Sequence, residues 1–225
     1  MGKLKIVAMK YPRLTKGVLA VNNRVQRRGC RGKKTQFICE GLLQNLRIRI
    51  KGIGNSITIG NFSRLKNCSI VIIGNNNKIN IGNECSLTDT ELYIEDSRGE
   101  ITIGDRTAIC EKTQLAVIEG CSITLGSDCL LSSEIRVRTG DSHSVLDTNG
   151  KRINRSKDVV LGDHVWVGNR AILLKGCEIG RDSIVASGGI ITKAFHTSNC
   201  VLGGNPARII KENINWDSNR IALEE

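Results

Sequence analysis

The chain has 225 residues, enough for one sizeable domain or two small ones. Only 3% of the residues are aromatic and 24 are glycine, so Ile, Val, Leu and Cys must fill the core. This composition favours thin, repeated layers over a bulky globule. No apolar run approaches a transmembrane length, and the N-terminal stretches IVAM and GVLA are too short for a secretory signal. We therefore expect a cytoplasmic protein.

The N-terminal segment carries the whole net charge. Residues 1–34 contain eleven Lys and Arg and no acid, which leaves 22 basic and 22 acidic residues (33 minus 11, against 22) in the rest of the chain. Such a segment can contact an anionic polymer or a membrane surface. It can equally be a solvated tail, or a cap that covers an open strand edge. No nucleic-acid partner is expected.

The centre of the chain is a repeat. The phrases ITIG, INIG, ITIG and ITLG begin at residues 57, 79, 101 and 123, a step of 22, and VVLG at 159 and CEIG at 177 follow with a step of 18. A finer unit of six residues has an aliphatic anchor, often followed by Gly, with a small residue in fifth place. Six residues fit a short strand and a corner, and three such faces make one 18-residue coil of a parallel β-helix. The glycine after the anchor is interpreted as a corner residue with unusual backbone angles.

The cysteines fit this interpretation without any chemistry of their own. They are nine in number, and none has CxxC or Cys/His spacing typical of a zinc site. Several occupy the small fifth position of the six-residue unit, where a buried thiol packs as a small apolar group. We therefore expect reduced thiols and no metal.

The rhythm breaks at residues 139–158, where the step grows to 36 residues. The excess must leave the β-helix as a loop, and a long excursion from a rigid scaffold is a common place for function. His143 lies in this loop and is a candidate general base. From position alone, it can also be an ordinary surface histidine on a passive solenoid.

The C-terminal part of the repeat resembles a known family. The run VVLGDHVWVGNRAILLKGCEIGRDSIVASGGIITK, followed by VLGGNPARIIK, is similar to the hexapeptide-repeat acyltransferases, in the branch of maltose, galactoside and capsular or lipopolysaccharide sugar O-acetyltransferases, including the polysialic acid O-acetyltransferases. The resemblance implies an all-β, left-handed parallel β-helix and a homotrimer with active sites in the grooves between neighbouring prisms. It also implies acetyl-CoA as donor. After Lys193 the acid and the two prolines that the family usually carries are absent.

The resemblance also implies roles for individual residues. His143 lies 23 residues before Trp166, which is the family's spacing for the catalytic histidine, so His143 is the expected base. Trp166 either acts with this histidine or fills the seam between subunits. Asp141 and Asp147 flank His143 and could orient its ring. His164 and His196 are interpreted as surface groups.

A second set of residues maps to the donor. The resemblance places coenzyme A against Asn169, Ser187, Thr192, Lys193, Arg208 and Lys211. Small residues suit the flat pantetheine arm, and cations suit the phosphates. The alternative for the last cations is a solvated basic tail.

The sequence therefore predicts a basic N-terminal arm or cap at residues 1–45, an acyltransferase β-helix at 46–211 and a C-terminal tail at 212–225. The predicted activity is acetyl-CoA-dependent O-acetylation of a sugar hydroxyl, in a cell-surface polysaccharide or its precursor. The alternatives are N-acetylation of an amino-sugar nucleotide, which also uses a histidine base, and a non-catalytic assembly module.

Overall fold

The computed structural model describes residues 25–28 and 35–223, and within them it consists of strands joined by tight corners. The strands are numbered β1 to β24 in chain order and form three sheets. Sheet A contains, in spatial order, β1 (Val25–Arg28), β4 (Leu46–Lys51), β7 (Ser69–Ile73), β10 (Thr90–Glu95), β13 (Thr113–Val117), β16 (Arg136–Arg138), β19 (Ile172–Leu173) and β22 (Ile190–Ile191). Sheet B contains β2 (Gln36–Cys39), β5 (Ser56–Ile59), β8 (Lys78–Ile81), β11 (Glu100–Ile103), β14 (Ser122–Leu125), β17 (Val159–Leu161) and β20 (Glu178–Ile179).

Sheet C begins with β3 (Leu42–Gln44), β6 (Arg64–Lys66), β9 (Ser86–Thr88), β12 (Ala108–Ile109), β15 (Leu130–Leu131) and β18 (Trp166–Val167). It continues with β21 (Ile184–Val185), β23 (Val201–Gly204) and β24 (Ala207–Lys211). The chain visits the sheets in the order A, B, C and A again, and the strands pair in parallel, except that β24 folds back antiparallel on β23. This is the predicted parallel β-helix.

The core is a set of aliphatic columns that run along the helix axis. In sheet B one column pairs the same position of successive coils, 22 residues apart until the loop intervenes: Ile57, Ile79, Ile101, Ile123 and Val159. All five side chains have 0% exposure, so each coil stacks on the next with no polar layer between them. The 22-residue step of the sequence is thus the register of the sheets.

The glycines after the anchors have a different role from the one predicted. At Gly104 an added Cβ would lie 2.5 Å from the carbonyl carbon of Gly126 in the next coil, so glycine is needed for close contact between coils. The left-handed backbone falls two residues later, on non-glycine residues such as Arg106 and Asp128 (φ 57° and 58°). The corner interpretation was therefore wrong: the glycine allows coils to approach, and its neighbour makes the turn.

The small fifth positions are buried as predicted. Cys85, Cys129 and Cys177 are at most 2% exposed, and the eight cysteines of the described residues are free. Burial raises the pKa of Cys129 to about 11 and of Cys177 to about 12, so these thiols stay protonated at neutral pH. They act as small packing groups. Cys30 lies outside the described residues.

The β-helix continues on the N-terminal side of residue 46. Strands β1, β2 and β3 pair in register with β4, β5 and β6, so residues 25–28 and 36–44 supply a further coil. Of the basic segment 1–34, the structure describes residues 25–28 alone, and they form the edge strand of sheet A. The division of the chain into arm, β-helix and tail stays a prediction.

The described part of the chain has no helix long and apolar enough to cross a membrane.

Candidate active site

The loop at residues 139–158 leaves the β-helix between β16 of sheet A and β17 of sheet B. Its two arms run antiparallel, with the Ile153 N–H donating to the Val145 carbonyl at 2.9 Å. At the tip, the Asp147 carboxylate accepts the N–H groups of Asn149 and Lys151, both at 2.9 Å. The excursion predicted from the broken rhythm is therefore an ordered hairpin-like loop.

Asn154 connects the two arms directly beside His143. Its amide oxygen accepts the Val145 N–H at 2.8 Å and the Arg152 Nε at 3.0 Å. Its amide nitrogen donates to the His143 carbonyl at 2.7 Å and to the Asp141 carboxylate at 2.9 Å. Because Asn154 is only 8% exposed, this network fixes the backbone of His143 from inside the loop.

Two groups of contacts fasten the loop to the coils. The Glu119 carboxylate binds the Arg152 guanidinium and accepts the Ser156 hydroxyl at 2.7 Å, and these contacts lower the pKa of Glu119 to about 2. The Asp141 carboxylate binds the Lys175 ammonium, and this contact lowers the pKa of Asp141. Glu119 and Lys175 both lie on the edge where sheet A meets sheet B, so the loop is held at that edge.

His143 itself is exposed, on a backbone that is fixed. The flanking carboxylates contribute to the shape of the loop, Asp141 through Lys175 and Asn154, and Asp147 through its own turn. A bond from either carboxylate to the His143 ring stays a prediction, and so does the role of His143 as base.

A polar cavity of about 290 Å³ adjoins the base of the loop on the outer face of sheet A. Ser142, the neighbour of His143, lines it. Across its floor the Gln114 amide donates to Glu91 at 2.5 Å, and the Arg138 guanidinium donates to the Gln114 oxygen at 3.1 Å. Hydroxyl, amide and charged groups are thus collected within reach of the loop, which suits a ligand rich in hydroxyl groups.

Tyr93 and a second cavity extend this polar surface. Tyr93 lines the first cavity and donates its hydroxyl to Glu95 at 2.9 Å, and burial together with the Glu95 carboxylate raises the pKa of Tyr93 to about 12. A second cavity of about 430 Å³ lies further along sheet A, is lined by Arg47 and Arg49, and shares Glu91 with the first. Both cavities therefore lie on this face of the prism, and Glu91 lines each of them.

Trp166 lies elsewhere on the prism. It is in β18 of sheet C, opposite the edge that holds the loop, with 37% of its surface exposed. Its indole N–H donates to the Ser132 hydroxyl at 3.3 Å, and Trp216 of the C-terminal tail lies beside it with ring centroids 6.0 Å apart. One chain therefore presents His143 and Trp166 on different sides of the β-helix.

The predicted coenzyme A residues divide in the same way. Asn169 and Ser187 occupy successive coils at the corner between sheets C and A. Arg208 and Lys211 are exposed on β24 of sheet C. Thr192 and Lys193 lie instead at the corner between sheets A and B, on the same edge as the loop, and the Lys193 ammonium is 5.3 Å from the centre of the Phe195 ring. The residues of one chain thus form two half-sets, one with His143 and one with Trp166.

Comparison with known proteins identifies the repeat. Residues 158–193 match the model of the bacterial transferase hexapeptide (six repeats). The structure of the polysialic acid O-acetyltransferase OatWY aligns with a TM-score of 0.80 at 29% identity, over 88% of this chain and 92% of that one. The polysialic acid-specific acetyltransferase NeuO aligns with a TM-score of 0.81 at 27% identity, over 90% and 92% of the two chains.

Residues 158–193 of the chain thus carry the hexapeptide repeat, and the predicted resemblance to that family is confirmed. Its all-β fold is the left-handed parallel β-helix that the resemblance implied. Both sequence-based predictions are confirmed.

Curated relatives of this hexapeptide-repeat protein carry related names. A polysialic acid O-acetyltransferase of Escherichia coli O1:K1 / APEC is 37% identical over 44% of this chain and 33% of its own length. A protein of the same name from Neisseria meningitidis is 33% identical over 46% of this chain and 48% of its own length. The matched segments thus span between a third and about half of these relatives.

Three residues of the hexapeptide-repeat protein escaped the sequence reasoning. Glu119, Asn154 and Trp216 organise the candidate site through contacts with no periodic spacing, 33, 11 and 52 residues along the chain from Arg152, His143 and His164. His164 was interpreted as a surface group, yet its imidazole bonds Asp182 at 3.0 Å and stacks on Trp216. His196 is largely exposed and lies 3.3 Å from Glu178.

Proposed function

We propose that the protein is an acetyl-CoA-dependent O-acetyltransferase that modifies a hydroxyl of a polysaccharide or of its precursor. The observation that carries the proposal is the fixed backbone of His143, which Asn154 holds beside a polar cavity. The likeness to enzymes named polysialic acid O-acetyltransferases supports the same reaction class.

The chemistry needs a base because a sugar hydroxyl is a weak nucleophile at neutral pH. His143 accepts the hydroxyl proton as the oxygen attacks the thioester carbonyl of acetyl-CoA, and then returns it to the departing thiolate. A histidine on a fixed backbone loses little orientational freedom in this step. The negative charge that develops on the carbonyl oxygen needs donors, either backbone N–H groups or the indole N–H of Trp166.

The arrangement of the two half-sets supports a homotrimer. His143, Thr192 and Lys193 lie on one edge of the prism, whereas Trp166, Ser187 and Arg208 lie towards sheet C. In a ring of three prisms, the loop edge of one subunit faces sheet C of its neighbour, and the two half-sets complete one site in each groove. A single subunit would then be inactive.

The donor is proposed to lie in this groove. Acetyl-CoA supplies an activated acyl group and carries phosphates that need cations. Lys193, Arg208 and Lys211 are exposed and free to reach phosphates, and the hydroxyl of Ser187 suits the amide-rich pantetheine arm. Acetyl-CoA as donor is consistent with a cytoplasmic place of action.

The test is an assay of acetyl transfer from acetyl-CoA to a panel of glycans. The release of coenzyme A measures the transfer. We expect transfer to at least one glycan and an ester product that alkali removes. Replacing His143 by Ala should lower kcat roughly 10²–10⁴-fold, the usual size of general-base effects, with coenzyme A affinity retained.

His196→Ala is the matched control, because this histidine is exposed and lies beside Glu178 of sheet B, outside the loop. Near-full activity of His143→Ala would move the base elsewhere, with the His164–Asp182 pair the next candidate. An alkali-stable amide product would indicate N-acetylation of an amino sugar. Absence of transfer to every acceptor would favour an assembly module.

A further inference from the structure

The C-terminal tail folds back over the corner between sheets B and C. After β24 the Ile214 N–H donates to the Asn199 carbonyl at 3.0 Å, and the Asn199 amide donates to the Ile214 carbonyl at 3.1 Å. This reciprocal pair fastens the tail to the last corner of the β-helix. Two residues later, Trp216 lies on the surface next to β18.

Trp216 makes three contacts there. Its indole N–H donates to the His164 carbonyl at 2.8 Å. Its ring stacks on the His164 imidazole, with centroids 4.2 Å apart and planes 10° from parallel. Its other neighbour is Trp166, at 6.0 Å and 42°, a tilted arrangement that aromatic pairs favour.

His164 is itself fixed, so Trp216 has a rigid support. The His164 imidazole Nδ1 lies 3.0 Å from the Asp182 carboxylate, and the backbone N–H of His164 donates to the Ser127 carbonyl at 2.7 Å. The series of side-chain contacts from Asp182 through His164 to Trp216 therefore ends at the indole of Trp166.

Trp166 needs such support. Its strand, β18, is two residues long, and its side chain points out of sheet C with 37% exposed. The indole N–H makes a long bond of 3.3 Å to the Ser132 hydroxyl. An exposed side chain held so weakly populates several rotamers, and each wrong rotamer lowers the fraction of chains ready to react.

We propose that Trp216 is a positioning residue for Trp166: the tail lays its indole against that of Trp166 and fixes the orientation that the reaction uses. This inference rests on the proposed function, in which Trp166 belongs to the site. It assigns a role to the C-terminal tail, which no periodic feature of the sequence indicated.

The protein contains two tryptophans, so the pair can be observed directly. Two indoles at 6.0 Å and 42° should couple and give paired bands of opposite sign in the far-UV circular dichroism spectrum. The experiment compares the full-length protein with Trp216→Ala, Trp216→Phe and the control Ile221→Ala, a substitution at an exposed apolar residue of the same tail. Trp216→Phe keeps an aromatic ring but loses the bond to the His164 carbonyl.

Acetyl transfer by the unmodified protein is measured first, so failure of the proposed function is seen separately, as absence of transfer. We then expect Trp216→Ala to abolish the paired bands and to lower kcat by about 10- to 100-fold, the size that misplacement of a distant support can reach, with KM for acetyl-CoA nearly unchanged. The kcat of Trp216→Phe should fall between that of Trp216→Ala and that of the unmodified protein. The kcat of Ile221→Ala should equal that of the unmodified protein. Full kcat in a Trp216→Ala protein that has lost the bands would overturn the inference, and so would their absence from the unmodified protein.

Discussion

At the scale of the residue, the junction between the two arms of the loop needs an amide side chain, which Asn154 supplies. The side chain accepts from Val145 and Arg152 on one side and donates to His143 and Asp141 on the other. Only an amide offers two acceptor sites and two donors in one plane at this length. Aspartate has the same shape but cannot donate when ionised, and leaving the buried partners unpaired costs about 1–3 kcal/mol.

We predict that Asn154→Asp lowers kcat about 10- to 100-fold, because its carboxylate repels Asp141 and the His143 carbonyl and shifts His143, the proposed base. The effect on KM for acetyl-CoA should be small, since the donor residues lie outside the loop. Steady-state kinetics check this. The control is Asn149→Asp at the exposed loop tip, and full activity of Asn154→Asp would show that the loop needs no such anchor.

The cations of the donor set make a second prediction. Lys193→Ala and Lys211→Ala should raise KM for acetyl-CoA much more than KM for the dephospho-CoA thioester, because the latter lacks the 3′-phosphate that a lysine would bind. Lys78→Ala, a change at an exposed lysine of sheet B, is the control. Equal changes for both donors would remove the phosphate role.

At the scale of the element, the loop is an inserted unit with its own fastenings. The contacts of Glu119 with Arg152 and Ser156 lower its pKa from the ordinary 4.5 to about 2. A carboxylate whose pKa is lower in the folded state stabilises that state fully above its unfolded pKa and loses this contribution as the pH falls through the folded value. The Lys175 ammonium lowers the pKa of Asp141, so Asp141 also stabilises the folded loop less as the pH falls.

We therefore predict that acidification from about pH 4.5 towards pH 2 releases the loop before the coils unfold. Hydrogen exchange of residues 141–157 measures the release. In Glu119→Gln the exchange should already be faster at neutral pH and should depend less on pH. Glu178→Gln, a change at an exposed carboxylate of sheet B, should behave as the unmodified protein does, and pH-independent protection of the loop would contradict the prediction.

The contrast between coils and loop explains what could be predicted. Ile57 and Ile79 recur at one spacing, so counting places them in one column. The break in that spacing locates the loop and His143. The role of Gly104 could not be obtained this way, because the close approach of coils depends on their separation and not on the pattern. The partners of Glu119, Asn154 and Trp216 are set by how an aperiodic segment folds back, which no period encodes.

At the scale of the whole molecule, the first coil forms one end of the β-helix among residues 25–28 and 35–223, and an end of this kind needs cover. Residues 25–28 pair with β4 as the edge strand of sheet A, and they belong to the basic segment. The sequence predicts two functions for the remaining basic residues: attraction of an anionic acceptor and capping of the fold.

Two deletions separate these functions. Removing residues 1–24 takes away six basic residues and keeps β1, whereas removing residues 1–34 takes away all eleven and exposes β4. If the segment is a cap, we predict that the longer deletion causes aggregation or loss of the proposed trimer while the shorter one does not, as light scattering would show. If it attracts an anionic polymer, the shorter deletion should already flatten the salt dependence of kcat/KM for long acceptors, since such attraction is screened over about 8 Å.

The constant 22-residue register between coils limits how the length of the β-helix can change in evolution. Residues 57, 79, 101 and 123 occupy equivalent places, so gain or loss of one 22-residue segment moves every later residue onto the place of its predecessor. Unequal recombination between such segments would lengthen or shorten the β-helix while leaving the loop and the later coils intact. The length of the β-helix and the loop that carries His143 can thus be inherited separately.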